Sequence, residues 1–222
     1  NPTFLLSLRG ARGRELRKLV LRKQPQGELL PRAHAVDREH RAQAALSRGS
    51  DVPVARQLAY CADREVAGAP FYVMEHVDGT VFLDRNLPSL APEQRGAVYA
   101  SLARCLASIH SADVEAMGMV DYGRADAYCA RTLATWKRQY LRDWGSDRMP
   151  EMVRLAAWLE RNAPPGASAR MPKPALIHGD YRLDNVIFGL GARGSALEAL
   201  AVLDWELSTL GDPMADLAYL CM

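Results

Sequence analysis

The spacing of apolar residues changes once along the chain, and the change divides it. Up to about residue 77 the apolar positions come in short runs broken by turn residues. TFLLSL (Thr3 to Leu8) and LRKLVLRK (Leu16 to Lys23) flank RGARGR, whose two glycines predict a hairpin. AHAVDREHRAQAALS (Ala33 to Ser47) is Ala-rich and free of Pro and Gly, which predicts a helix, though its apolar stripe is weak. ARQLAYCA (Ala55 to Ala62) and PFYVMEHV (Pro70 to Val77) follow as strands, the second rich in aromatic and β-branched residues, and Asp78-Gly79 marks a turn.

Beyond this point the period becomes helical. From Pro92 to His110, Val98 is followed by Leu102, Cys105, Leu106 and Ile109 at four, seven, eight and eleven positions, one stripe of a 3.6-residue repeat. Pro92 suits a first helical position. Two more helices are predicted at Ala127 to Trp144 and Pro150 to Arg161, then a Pro/Gly/Ser loop, APPGASARMPKP (Ala163 to Pro174). Strands at Ala175 to Ile177, Val186 to Phe188 and Leu200 to Leu203, and a helix from Met214, complete the pattern. The prediction is an α+β, two-lobed protein: a small β-rich lobe over residues 1–77, a joining segment over 78–86, and a larger, mainly helical lobe over 87–222. A cleft between two lobes is a common place for a small-molecule site.

Composition narrows the function classes without altering that picture. The 222 residues are 49% apolar and 24% charged, with a net charge of +2 and basic residues scattered, which argues against a nucleic-acid partner. No apolar run approaches the roughly 20 residues that span a bilayer, and no secretory h-region opens the chain. Cys61, Cys105, Cys129 and Cys221 lie far apart with no CxxC pair, which argues against zinc and a disulfide framework and for a reducing, cytoplasmic setting. Both ends look cut: the chain opens at Asn1-Pro2-Thr3 into an apolar run and stops at DLAYLCM, in mid-helix.

The chemistry concentrates in LIHGDYRLDNVIF (Leu176 to Phe188), where His178, Asp180, Arg182, Asp184 and Asn185 are held between two strand-like ends. Asp180 and Asn185 lie five apart across a loop that must turn back, and nineteen residues after Asn185 comes Asp204, in VLDWE at the end of another apolar strand. Asp and Asn oxygens are hard donors suited to Mg²⁺. Two such donors from neighbouring strand ends, with Asp180 left to orient a hydroxyl and a cation nearby, supply what phosphoryl transfer asks for: position and charge neutralisation.

His178-Gly179-Asp180 with Asn185, followed by Asp204-Trp205-Glu206, resembles the motifs of the aminoglycoside phosphotransferase family, small-molecule kinases with a protein-kinase-like fold. NPTFLL, DVPVARQLAYC, PFYVMEHVDGTVF and VLDWELSTLGDPMADLAYLCM narrow the likeness to kinase-like domains attached to, or encoded beside, acyl-CoA dehydrogenases, over nearly the whole chain. In that group a Gly-containing turn precedes the NPT; here it is absent, so a phosphate-covering loop is not readable.

The resemblance implies a role for each matching residue. Asp180 matches the catalytic base, Asn185 and Asp204 the Mg²⁺ ligands, and Glu39 the helix carboxylate that pairs with a strand cation. That cation is Arg22 or Lys23, neighbours that face opposite sides of a strand; the pattern of relatives favours Arg22. Glu75, His76 and Val77 match the segment that meets adenine through its backbone. Arg182 stands where a cation neutralises the γ-phosphate, and Asp216 matches a carboxylate that braces the catalytic loop.

Plainer readings compete. His178 reads as a structural histidine, Asp184 as a turn or surface carboxylate, and Asp212 and Asp216 as helix caps. Arg182 has carboxylate partners within reach at Asp184 and Glu206, so phosphate and salt bridge stay open for it. His110 reads as core packing, and Trp136, Trp144, Trp158 and Trp205 as core or lobe packing. The function implied is transfer of the γ-phosphate of ATP, with Mg²⁺, to a hydroxyl of a small molecule. A hydroxyacyl-CoA or hydroxy acid fits the dehydrogenase association, with a fused or neighbouring acyl-CoA dehydrogenase as partner. The alternatives are a kinase for an aminoglycoside, choline, homoserine or a sugar, and a non-catalytic nucleotide-binding module.

Overall fold

A computed structural model describes residues 1–11, 13–25, 35–143, 147–162, 175–191 and 197–222. The predicted loop at 163–174, the first residues of the Ala33 helix and Trp144 lie outside these residues.

The N-terminal part is a four-stranded antiparallel sheet backed by one helix. β1 (Thr3–Arg9) and β2 (Glu15–Lys23) form the predicted hairpin, and Gly13, at φ +74, donates to Gly10 O in its turn. α1 (Val36–Gly49) crosses over to β3 (Gln57–Cys61). A single helical turn, α2 (Arg64–Ala67), capped by Asp63 and ended by left-handed Gly68, leads into β4 (Phe71–Glu75). The sheet order is β1-β2-β4-β3. In β4 the buried residues alternate: Tyr72 and Met74 face α1, where they meet Val36 and Ala55 in a small core.

The larger core lies below. α3 (Pro92–Ser111) buries the whole predicted stripe, Val98, Leu102, Cys105, Leu106 and Ile109, with Ser101 beside it. Each fully buried aliphatic side chain of this kind contributes roughly 1.5–3 kcal/mol. Two short antiparallel pairs rest on α3: β5 (Ala175–Ile177) with β8 (Thr209–Gly211), and β6 (Val186–Leu190) with β7 (Leu197–Val202). α6 (Pro213–Leu220) follows, with Asp212 as its N-cap and Pro213 at its first position. α1 joins the two halves, because Ala42, Ala45 and Leu46 belong to this larger core.

Two features bear on the site. α4 (Tyr128–Asp143) and α5 (Pro150–Asn162) pack on each other but bury no residue completely. Trp136 and Trp158 are therefore 60% and 53% exposed, against the reading of them as core, while Trp205 is fully buried as expected. The segment after β4 is also fastened to the lower half. Thr80 and Phe188 exchange two backbone hydrogen bonds of 2.7 and 2.8 Å, and Gly79 makes that approach possible, since a Cβ there would sit 2.6 Å from Phe188 O.

Candidate active site

β5 ends at Ile177, and the chain turns through His178 and Gly179 to present Asp180. The turn hangs from one buried carboxylate on α6. Asp216 accepts from the backbone N–H of His178 (2.7 Å) and of Gly179 (2.8 Å), and His110 Nε2 lies 3.0 Å away. Asp216 is thus a brace for the loop, not a cap for its own helix. Its link to His110, at the end of α3, gives that histidine a polar role that helical periodicity does not reveal. Gly179 has φ +85, and a Cβ there would meet Leu207 O at 2.7 Å, so the turn requires glycine.

His178 is sealed inside. Its Nε2 lies 2.8 Å from Leu203 O, and its Nδ1 accepts from the Asp180 N–H (3.2 Å). A carbonyl on one side and an N–H on the other fix the neutral Nε2–H tautomer. Burial pushes its pKa below the ordinary histidine value. His178 is therefore a structural pin that carries no mobile proton.

Asn185 closes the loop. Its Nδ2 donates to Asp180 O (2.8 Å) and Asp180 Oδ2 (2.9 Å); both partners are acceptors, which fixes the amide's orientation. Its backbone O accepts from Leu203 N (2.8 Å), which ties the loop to the residue before Asp204. Asp204 has a left-handed backbone, φ 62 and ψ 60, a conformation that costs a non-glycine residue roughly 1–2 kcal/mol. Such strain persists where the surroundings impose it, and it gathers at functional sites.

The register of the upper sheet settles which strand cation faces this loop. Arg22 lies opposite the buried Tyr72, and Lys23 opposite Phe71 on the other face. Arg22 reaches down, with Nη2 2.6 Å from Asp204 Oδ1 and Nε 2.9 Å from Glu39 Oε2. The Nε–H is not aimed at the Glu39 oxygen, so this second contact is an ion pair more than a hydrogen bond. Glu39 and Asp204 together hold the Arg22 pKa above its usual value in spite of burial. Burial pushes the Glu39 carboxyl up, opposed by Arg22. Strand cation, helix carboxylate and the Asp204 loop thus form one chain of charges between the halves. Lys23 stays outside it.

The remaining predicted residues fall around this centre. Arg182 pairs with Asp184 (2.9 Å) and stands 3.8 Å from Asp180 Oδ1. Glu75 donates its N–H to Arg56 O (3.0 Å) and pairs with Arg17, and His76 Nδ1 lies 3.4 Å from Asp78. The backbone of His76 and Val77 follows where β4 ends. Among the described residues no three His, Cys, Asp or Glu side chains converge as a metal-binding group. The donors available to a divalent cation are an amide and a carboxylate. Asn185 fits, because its Nδ2 is spent on Asp180 and its Oδ1 is the atom left to coordinate; Asp204 fits as a carboxylate that is 34% exposed at the loop. Both are hard oxygen donors of the kind Mg²⁺ takes, with phosphate and water oxygens filling the other positions.

A groove of about 870 Å³ opens on the other side of Asp180. Its walls are the inner faces of α4 and α5, with Leu133, Trp136, Leu141 and Leu159 among them, and its floor is Gly179, Asp180 and Leu207. Tyr219 of α6 stands at its edge, where its hydroxyl interacts with the Asp180 carboxylate, which raises the Tyr219 pKa. Sequence reasoning passed over Tyr219, since an aromatic residue in an apolar helix reads as packing.

A loop of this construction, set beneath an antiparallel sheet and one paired helix, defines a protein-kinase-like phosphotransferase fold. The chain belongs to the phosphotransferase enzyme family of aminoglycoside phosphotransferase (APH) type, whose model matches residues 1–222. It is 47% identical over 219 residues to "Acyl-CoA dehydrogenase family member 11" of Gallus gallus, covering 99% of this chain and 26% of that protein. The chain thus spans about a quarter of the length of the curated relatives it resembles, as with "Probable acyl-CoA dehydrogenase IBR3" of Arabidopsis thaliana at 44% identity. Among solved structures, a Ralstonia eutropha protein provisionally described as an aminoglycoside phosphotransferase superposes with a TM-score of 0.78 at 35% identity, over 100% of this chain and 64% of that one.

Proposed function

We propose that the protein transfers the γ-phosphate of ATP to the hydroxyl of an acceptor with an apolar body: a hydroxy acid or a hydroxyacyl thioester. The observation that carries this reading is the groove, which is walled by hydrocarbon and reaches Asp180. A polycationic acceptor such as an aminoglycoside would need acidic walls. Among the described residues the charged ones lining the groove are Lys137, Asp180 and Asp216, and Asp216 is buried and already fully engaged.

In this reading Asp180 accepts the hydrogen bond of the acceptor hydroxyl and takes its proton as the oxygen attacks the γ-phosphorus. The bond to the β–γ bridging oxygen breaks, and ADP leaves. Asn185 orients Asp180 through its two amide hydrogen bonds, and Asp216 and His178 hold the turn at the required angle. Asn185 Oδ1 and Asp204 would hold Mg²⁺, which neutralises phosphate charge when bound. Arg22 would turn from Asp204 to the α- and β-phosphates while keeping Glu39, and the His76–Val77 backbone would meet the adenine. Arg182 would leave Asp184 for the transferred phosphoryl group. The dehydrogenase names of the relatives, and the share of their length this chain spans, support action beside an acyl-CoA dehydrogenase, in the reducing cytoplasm that four free thiols suit.

An ADP-release screen tests this reading. Hydroxy acids and their CoA esters should be turned over, and aminoglycosides, choline, homoserine and sugars should not. Asp180→Ala should lower turnover at least about 100-fold, the contribution of a positioned base, while nucleotide still binds. Full activity in Asp180→Ala would end the mechanism. Stabilisation by Mg²⁺-ATP without turnover of any alcohol would make the protein a nucleotide-binding module.

A further inference from the structure

Across Tyr219 from the apolar groove lies a second, smaller cavity of about 330 Å³. Its polar wall carries two guanidinium groups, Arg85 and Arg182, one carboxylate, Asp184, and the rings of Tyr99 and Tyr219; Leu83, Leu183 and Leu220 close the rest. Arg182 is compensated by Asp184 at 2.9 Å. Arg85 forms no ion pair among the described residues, so the cavity keeps an uncompensated positive charge. The Arg85 side chain also springs from fixed backbone, because Tyr99 donates its hydroxyl to Arg85 O at 2.6 Å. Tyr219 is the partition between cavity and groove, and its hydroxyl interacts with Asp180. Arg182 reaches to 3.8 Å from the same carboxylate.

We propose that this cavity is an oxyanion subsite for the acceptor, with Arg85 as the residue that sets the preference for an acidic group. The inference rests on the kinase reading for its acceptor, but the chemistry is local. A guanidinium with a fixed base and partly apolar surroundings offers paired N–H donors that suit a carboxylate or phosphate. An acceptor seated across Tyr219 would place its apolar tail between α4 and α5, its hydroxyl at Asp180 and its oxyanion against Arg85.

The test separates binding from turnover. In calorimetric titrations of the full chain, dodecanoate should bind more tightly than dodecanol, and Arg85→Gln should erase that preference about tenfold, the effect of losing one charge-assisted contact. In steady-state assays Arg85→Gln should reduce the kcat/KM preference for a hydroxy acid over its methyl ester by a similar factor. If the preference lost is instead that for the CoA thioester over the methyl ester, the oxyanion held is a phosphate, and the subsite stands. An unaltered dodecanoate preference in Arg85→Gln, together with unaltered acid and thioester preferences, would overturn the proposal. If no acceptor is turned over, the kinase reading fails, and the dodecanoate–dodecanol comparison still decides the subsite.

Discussion

Replacing Asp216 with Asn exchanges one carboxylate oxygen for an NH₂ group inside the molecule. Asp216 is 1% exposed and accepts two backbone N–H groups, at 2.7 and 2.8 Å, with His110 at 3.0 Å. Asn keeps one acceptor oxygen. Its NH₂ must face a backbone N–H, His178 or Gly179, whichever the remaining oxygen does not serve. That N–H then sits buried without a partner, at about 1–3 kcal/mol. The surviving bond also falls from charge-assisted to neutral strength, a further loss of about 1 kcal/mol. The sum, about 3 kcal/mol, is large against the roughly 5–15 kcal/mol that holds a typical protein folded. For a chain of this size it corresponds to a fall in Tm of roughly 10 °C. Urea denaturation followed by tryptophan fluorescence would measure it. The same variant should lose turnover with little change in nucleotide affinity, because the disturbed turn carries Asp180. A stability change under about 0.5 kcal/mol would refute the claim that this carboxylate holds the loop by charge-assisted bonds.

Gly179→Ala should destabilise by at least about 2 kcal/mol, since its φ of +85 disfavours any Cβ and Leu207 O blocks it at 2.7 Å; a urea midpoint equal to that of the native chain would contradict this. Arg22→Lys replaces a fork that spans Glu39 and Asp204 with a single point charge, so it should weaken binding of a non-hydrolysable ATP analogue about tenfold by calorimetry. Burial lowers the His178 pKa in the folded state, so below the unfolded value near 6.5 the unfolded chain binds the additional proton. Stability should therefore fall as pH drops from about 6.5 towards the lowered folded pKa, by at most about 1.4 kcal/mol per pH unit. That share of the slope should vanish in His178→Asn, and an identical slope in both proteins would show that the histidine titrates freely.

Periodic features were legible because they are local. The α3 stripe needs only its own spacing, and it is buried residue for residue. The loop from His178 to Asn185 was legible for a related reason: so many polar groups between two strands leave little else to build. What escaped depends on distant partners. The residues alone left Arg22 and Lys23 both open, and although the resemblance favoured Arg22, its physical basis is the register of β2 against β4, which places Arg22 beside Tyr72. The resemblance already gave Asp216 a bracing role, which α6 fulfils by lying under β5, whereas the polar role of His110 escaped because it requires α3 to end at the same point. α2 and β8, at four and three residues, are too short to show any period. Trp136 and Trp158 were misjudged because bulk alone suggests burial, whereas α4 and α5 stand apart from the core and leave both rings exposed, Trp136 on the groove wall.

The paired bonds between Thr80 and Phe188 set limits on motion. Rocking of the upper sheet over the phosphate site would bend the backbone between Glu75, the end of β4, and Gly79, because from Thr80 onward the chain moves with β6, and it would bend the link into β3 as well, because α1 and Pro53 are held by the lower half. The first of these pivots is only a few residues long, and it includes the two whose backbone is proposed to grip the base. Seating the nucleotide would load the bearing itself, so occupancy and lobe angle should be mechanically inseparable in this protein.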